Sequence, residues 1–155
     1  MRMSPLPLVL LLAASFLLPA PDVLSERTYI QALAIRGNTL ILQPFEAEEN
    51  LTVQEASPEQ ALCIAEIKAG GKVFLGHTEL VCLSSPEDLP TLRKLLDEGI
   101  SPMCQVVLAP PETLSPHAGD VHYRQIRTAQ RNGAFPPADL QAVLNSGVVY
   151  ALPEV

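Results

Sequence analysis

The stretch CIAEIKAGGKVFLGHTELVCLSSPEDLPTLRKLLDEG, residues 63–99, decides the fold because its opening supports two incompatible readings. Ala61, Leu62, Ile64, Ala65 and Ile67 suit a helix that starts from Ser57, whereas Ile64, Ala65 and Ile67 followed by AGGK suit a strand running into a turn. The apolar run is too short for periodicity to separate the two. A strand would make residues 63–68 the first arm of a hairpin whose second arm, 72–83, ends near Cys82. A helix at 58–69 would instead point to alternating helices and strands.

The end of the same stretch is clearer. SPED at 85–88 combines a serine N-cap, a proline in the first helical position and an acidic residue at the third. Leu89, Leu92, Leu95 and Leu96 then recur at spacings of three and four, and Gly99 supplies a left-handed stop. A helix over about 86–98 is expected. SPEQ at 57–60 carries the same start signal, 28 residues upstream. Only the capping residues repeat, so this is common helix-start grammar and not a duplication.

Working outward, TYIQALAIRGNTLILQPF predicts strands at about 28–36 and 39–44 around a tight Gly37-Asn38 turn with glycine at its first central position. Pro44 ends that ladder, EAEEN is a solvated acidic loop, and LTVQ suits a short third strand. Beyond Gly99, CQVVLA reads as a buried strand and APPETLSPHAG as a proline-rich loop. DVHYRQIRTAQRNG and PPADLQAVLNSG read as helices, and VVYAL as a final strand.

At the N-terminus, Arg2 precedes an apolar run from Leu6 to Leu18 that is short for a bilayer span and is interrupted by Pro7. Residues 1–25 are expected to be a signal peptide, with cleavage after Val23-Leu24-Ser25. The remaining chain is one domain's worth, and its net charge stays at −7 without the leader. That charge disfavours nucleic acid or an anionic membrane as the main partner. Secretion, or a periplasmic location if the source is bacterial, follows from the leader, with no stable membrane insertion once it is removed.

The segments IAEIKAGGKV and VCLSSPEDLPTLRKLL resemble the second half of a chemokine: a strand, a Gly/Lys turn, a strand ending in Cys-Leu, and a Ser/Pro-started helix with leucines on one face. The resemblance implies an α+β fold, a small antiparallel sheet with the 86–98 helix packed across it over residues 26–99. Residues 100–155 would be a partly helical C-terminal extension of the same domain. It further implies that Cys63 and Cys82 match the family's third and fourth cysteines, and that the chain is a secreted, non-enzymatic, cytokine-like factor binding a receptor or another secreted or cell-surface protein. The paired cysteines that the family carries near its mature N-terminus are absent from ERTYIQAL, residues 26–33. The alternative is an exported α/β accessory protein without catalytic activity, whose strands at 72–75, 104–108 and 148–152 would form a parallel sheet.

The candidate sites are few. Cys63 and Cys82 could be bridged if they lie on neighbouring strands, or Cys82 could be a buried unpaired thiol. Asn50-Leu51-Thr52 is a glycosylation sequon next to the acidic loop. His117, Asp120 and His122 are weak candidates for a metal, although Asp120 also suits an N-cap. Arg124, Arg127 and Arg131 form a basic helical stripe that could meet an acidic partner. No catalytic motif appears, and no cofactor is expected.

Overall fold

The computed structural model describes residues 26–55 and 57–154; the expected leader lies outside them. Strands β1 (Thr28–Arg36) and β2 (Thr39–Pro44) form the expected hairpin, and β3 (Leu51–Gln54) extends it. Gly37 adopts φ +56°, as a tight turn with glycine first demands. The chain then forms helix α1 (Pro58–Ala69), strands β4 (Val73–Phe74) and β5 (Leu80–Leu83), and helix α2 (Leu89–Asp97). Strand β6 (Gln105–Leu108), helices α3 (Ala118–Arg131) and α4 (Leu140–Ser146), and strand β7 (Tyr150–Ala151) follow.

The decisive stretch opens as a helix. Ser57 Oγ accepts from the Gln60 amide, Pro58 occupies the first turn, and Gly70 closes the helix in the left-handed conformation at φ +71°. Ala61 and Ala65, one turn apart, are buried against the sheet. The expected antiparallel pairing of 63–68 with 72–83 is therefore replaced: β4 and β5 each pair in parallel with β1. The Gly70-Gly71 pair that resembled a hairpin turn ends a helix, and the strand after it finds its partner far away in sequence. The 86–98 helix is present, preceded by a short 3₁₀ turn at Pro86–Asp88. There Ser85 and Asp88 cap each other, with Oδ2 of Asp88 accepting from the Ser85 amide at 3.1 Å.

The sheet order is β3-β2-β1-β5-β6-β7, with β4 also paired to β1. The class is α+β, with a mixed sheet: an antiparallel half from β3 to β1, and a parallel half in which β5, β6 and β7 follow β1. The parallel half uses β5 and β6, which are buried throughout except for the half-buried Leu108, as expected where helices cover both faces. Val106, Leu140 and Val143, from the C-terminal part of the chain, share one core with Leu33, Val81 and Leu92.

Side-chain alternation divides the core into two layers. Leu33, Ile35, Val81, Leu83 and Val106 face α1, α2 and α4. Ala32, Ala34, Leu80, Cys82 and Val107 face the other way, toward Ile126 of α3. A register shift between Ile30 and Ala32 marks a bulge in β1, which lets Ile30 join Leu33 and Ile35 on the same face.

Small residues allow α3 to approach closely. A side chain on Gly119 would meet the Ala32 methyl at 2.6 Å and would collide with Gln43. Gln43, 2 % exposed, receives the Gly119 amide on Oε1 at 2.9 Å and donates through Nε2 to the Ser115 carbonyl at 2.7 Å. Asn50 donates to the Leu114 carbonyl at 2.5 Å. These amides satisfy the backbone of the loop entering α3, groups that would otherwise be costly to bury.

Gly119→Ala separates two opposing effects. Helix propensity alone favours alanine by about 1 kcal/mol, whereas overpacking costs about 1–3 kcal/mol. The expected outcome is net destabilisation, read as a lower urea midpoint with an unchanged slope. An unchanged or higher midpoint would show that α3 can move away from Ala32 without loss.

Candidate functional site

Where β1 begins and the β1–β2 ladder ends lies an open hollow of about 790 Å³. Arg27, Thr28 and Tyr29 come from the start of β1, and Pro44 and Phe45 from the end of β2. Glu46, Ala47 and Glu49 come from the acidic loop, Leu51 from β3, Ala69 from the end of α1, and His77 from the turn before β5.

Backbone contacts hold this rim in place. The Thr28 amide donates to the Lys72 carbonyl at 2.8 Å, and the Phe45 amide to the Tyr29 carbonyl at 3.1 Å. Gly71 is required beside the first of these contacts, because any Cβ there would strike the Glu26 carbonyl. Tyr29 packs edge-on to His77 with ring centroids 5.2 Å apart, and lies 5.7 Å from Phe74. The Arg27 guanidinium carbon sits 5.2 Å from the centre of the Phe74 ring, within cation–π range.

The cleft therefore has an ordered aromatic wall, yet Tyr29 and Phe45 remain 39 % and 38 % exposed. Glu46 and Glu49, which also line the cleft, are exposed and make no ion pair with another described residue. This lining offers apolar and aromatic contacts together with unpaired carboxylates. The sequence signal for it was scattered: Tyr29 looked like a strand residue, Phe45 like the residue after a strand, and EAEEN like a loop. Only the pairing of β1 with both β2 and β4 joins them.

The cysteines are free. Cys63 lies on the exposed side of α1, which covers one face of the sheet, whereas Cys82 points into the layer beneath α3 on the other. The sheet itself separates them, so the expected bridge is corrected. Burial pushes the Cys82 thiol up to about 12, and burial with a smaller contribution from Asp139 does the same for Cys104. Neither has the lowered pKa that activates a nucleophile.

Asn50, the sequon residue, is half-buried, and its amide nitrogen donates to the Leu114 carbonyl. The three metal candidates do not converge. His117 precedes α3 at φ +65°, Asp120 pairs with Arg124, and the His122 ring is hydrogen-bonded to Gln125 at 3.0 Å. Asp120 is thus an ion-pair partner within the first turn and not the N-cap, the position His117 occupies. Among the described residues, no three His, Cys, Asp or Glu side chains are placed to share a metal ion.

Arg124, Arg127 and Arg131 are all exposed on α3. Arg124 is partly neutralised by Asp120 and borders a hollow with Val121 and Pro153, whereas Arg127 borders a different one with Tyr123 and Phe135. The basic stripe is divided between two shallow surfaces. Among the described residues, no helix is long and apolar enough to cross a membrane.

No protein-family model matches this chain, no curated protein is significantly similar to it, and no solved structure matches it significantly.

Two outcomes follow for the thiols. A thiol reagent should modify Cys63 rapidly in the folded protein and all three cysteines only after denaturation; rapid labelling of Cys82 or Cys104 in the native state would contradict their burial. Between the ordinary value of 9.0 and about 12, the unfolded chain binds fewer protons at Cys82 and Cys104 than the folded chain. Their contribution is therefore fully present below the unfolded pKa and is lost as pH rises toward 12. Stability measured across that window should fall less steeply in Cys82→Ala than in the parent chain.

Proposed function

We propose that this chain is an exported, non-enzymatic domain that binds another protein through the cleft at the start of β1. The observation that carries the reading is the half-exposed Tyr29–Phe45 pair in a concave, backbone-braced rim with Arg27 beside it. Tyrosine, phenylalanine and arginine are enriched at the centres of protein interfaces, where large rigid side chains are desolvated together. Export rests on the apolar leader read from residues 1–25.

Two versions of this function are compatible with the leader, a cytokine-like secreted factor and an exported accessory domain. The helix at Pro58–Ala69 and the parallel pairing of β1, β5 and β6 favour the accessory domain. The acidic net charge of −7 supports a protein partner over a polyanion.

A photo-crosslinking residue placed at Phe45, in protein exported by its native source, should yield an adduct with one partner protein, and the same residue at Glu98 should not. Tyr29→Ala should weaken that association by about 2 kcal/mol, roughly thirtyfold in Kd. Equal adducts at both positions, or adducts indifferent to Tyr29, would remove the cleft from the interaction.

A further inference from the structure

We infer that the cleft takes a cationic segment of the partner, a Lys- or Arg-bearing stretch of chain with an apolar anchor; this deepens the protein-binding reading and rests on it. The inference comes from how charge and apolar surface are distributed around the hollow. Pro44, Leu51 and Ala69 give it an uncharged part of the lining, and Tyr29 and Phe45 an aromatic part. Its two carboxylates, Glu46 and Glu49, are exposed and unpaired with any other described residue. Glu48, also exposed, lies between them in the loop.

Arg27 and His77 also line the hollow. Arg27 is stacked on Phe74 and His77 is packed edge-on against Tyr29, so neither is paired with the glutamates. An incoming anion would meet Glu46 and Glu49 in the lining. An incoming Lys or Arg would meet both carboxylates and aromatic side chains in the same lining, the two partners a cation prefers when partly desolvated. The hollow, about 790 Å³ and open, is larger than one cation needs and suits several side chains of an extended segment. The net charge of −7 adds steering toward such a partner that weakens with salt.

The probe is a labelled peptide of about ten residues with spaced lysines and one central tryptophan, measured by fluorescence anisotropy against the intact exported chain. Two comparison peptides replace every lysine by glutamate, or the tryptophan by glycine. Binding of the Lys/Trp peptide should exceed that of both, and should weaken as salt is raised from about 0.05 to 0.3 M. Glu46→Gln with Glu49→Gln should weaken it about five- to tenfold, and Phe45→Ala should weaken it comparably. The charge-matched change Asp97→Asn with Glu98→Gln, at the exposed end of α2, should leave it within about twofold. Circular dichroism melts establish that each variant is folded.

Equal loss from both charge-matched pairs would reduce the effect to net-charge attraction and overturn the inference, as would a preference for the glutamate peptide or no binding of any peptide. If the Phe45 crosslink to a partner persists in those cases, the protein-binding reading stands and only the cationic segment is removed. If the crosslink is absent as well, both are lost.

Discussion

From Ile30 to Ile35 strand β1 is buried on both faces, and it is hydrogen-bonded along both edges; the other elements are placed by what that demands. A strand flanked by β2 on one side and by β4 and β5 on the other cannot leave either row of side chains to water. Its sequence meets the two faces differently. Leu33 and Ile35 present bulk to the layer holding α1, α2 and α4, whereas Ala32 and Ala34 present methyl groups to α3. Each large aliphatic side chain withdrawn from water contributes about 1.5–3 kcal/mol. The alanines contribute less by area, but they permit the close approach in which Gly119 lies against Ala32. Packing density then replaces side-chain size.

That close approach brings a polar requirement with it. A helix N-terminus pressed onto a sheet carries amides and loop carbonyls away from water, and each one left unpaired would cost about 1–3 kcal/mol. Gln43 meets this requirement from the α3-facing side of β2, with Asn50 beside it, so two residues on the antiparallel half secure the loop that precedes α3. Opposite, on the layer of the larger side chains, Asp88 accepts the Gly37 amide at 2.8 Å and thereby ties the hairpin turn to the start of α2. The hairpin is thus anchored to both helical layers by side chains outside its own ladder.

Much of this was legible locally. The alternation in residues 28–36 and 39–44, the Gly37-Asn38 turn, and the Ser-Pro caps at Ser57 and Ser85 all depend on neighbours within a few residues, and the structure contains them where expected. Residues 63–69 were ambiguous because Cys63 and Ile67, one helical turn apart, are exposed although apolar, so the helix shows little contrast between its faces. What broke the ambiguity is a cap at one end and a left-handed glycine at the other. The parallel pairing of β1 with β5 is a different kind of fact: it joins residues nearly fifty positions apart, for example Leu33 with Val81, and no local pattern encodes it. Gln43 and Asn50 were illegible for the same reason, since their partners, Ser115 and Leu114, lie more than sixty residues away.

The cleft shares this non-local origin, and its position bears on how the molecule divides its tasks. Stability is concentrated where β1, β5 and β6 are covered on both faces, whereas Tyr29, Phe45, Glu46 and Glu49 lie at the end of the sheet where β1 begins and β2 finishes. The bulge between Ile30 and Ala32 marks the boundary. On its far side the strand obeys the core, and on its near side Tyr29 pairs with Phe74 and His77 while keeping surface free. Tyr29 and Phe45 contribute little to either hydrophobic layer, so changing them alters the rim more than the fold. Substitutions at this rim leave in place Leu33, Val81 and Val106, the side chains that pack the sheet against its helices.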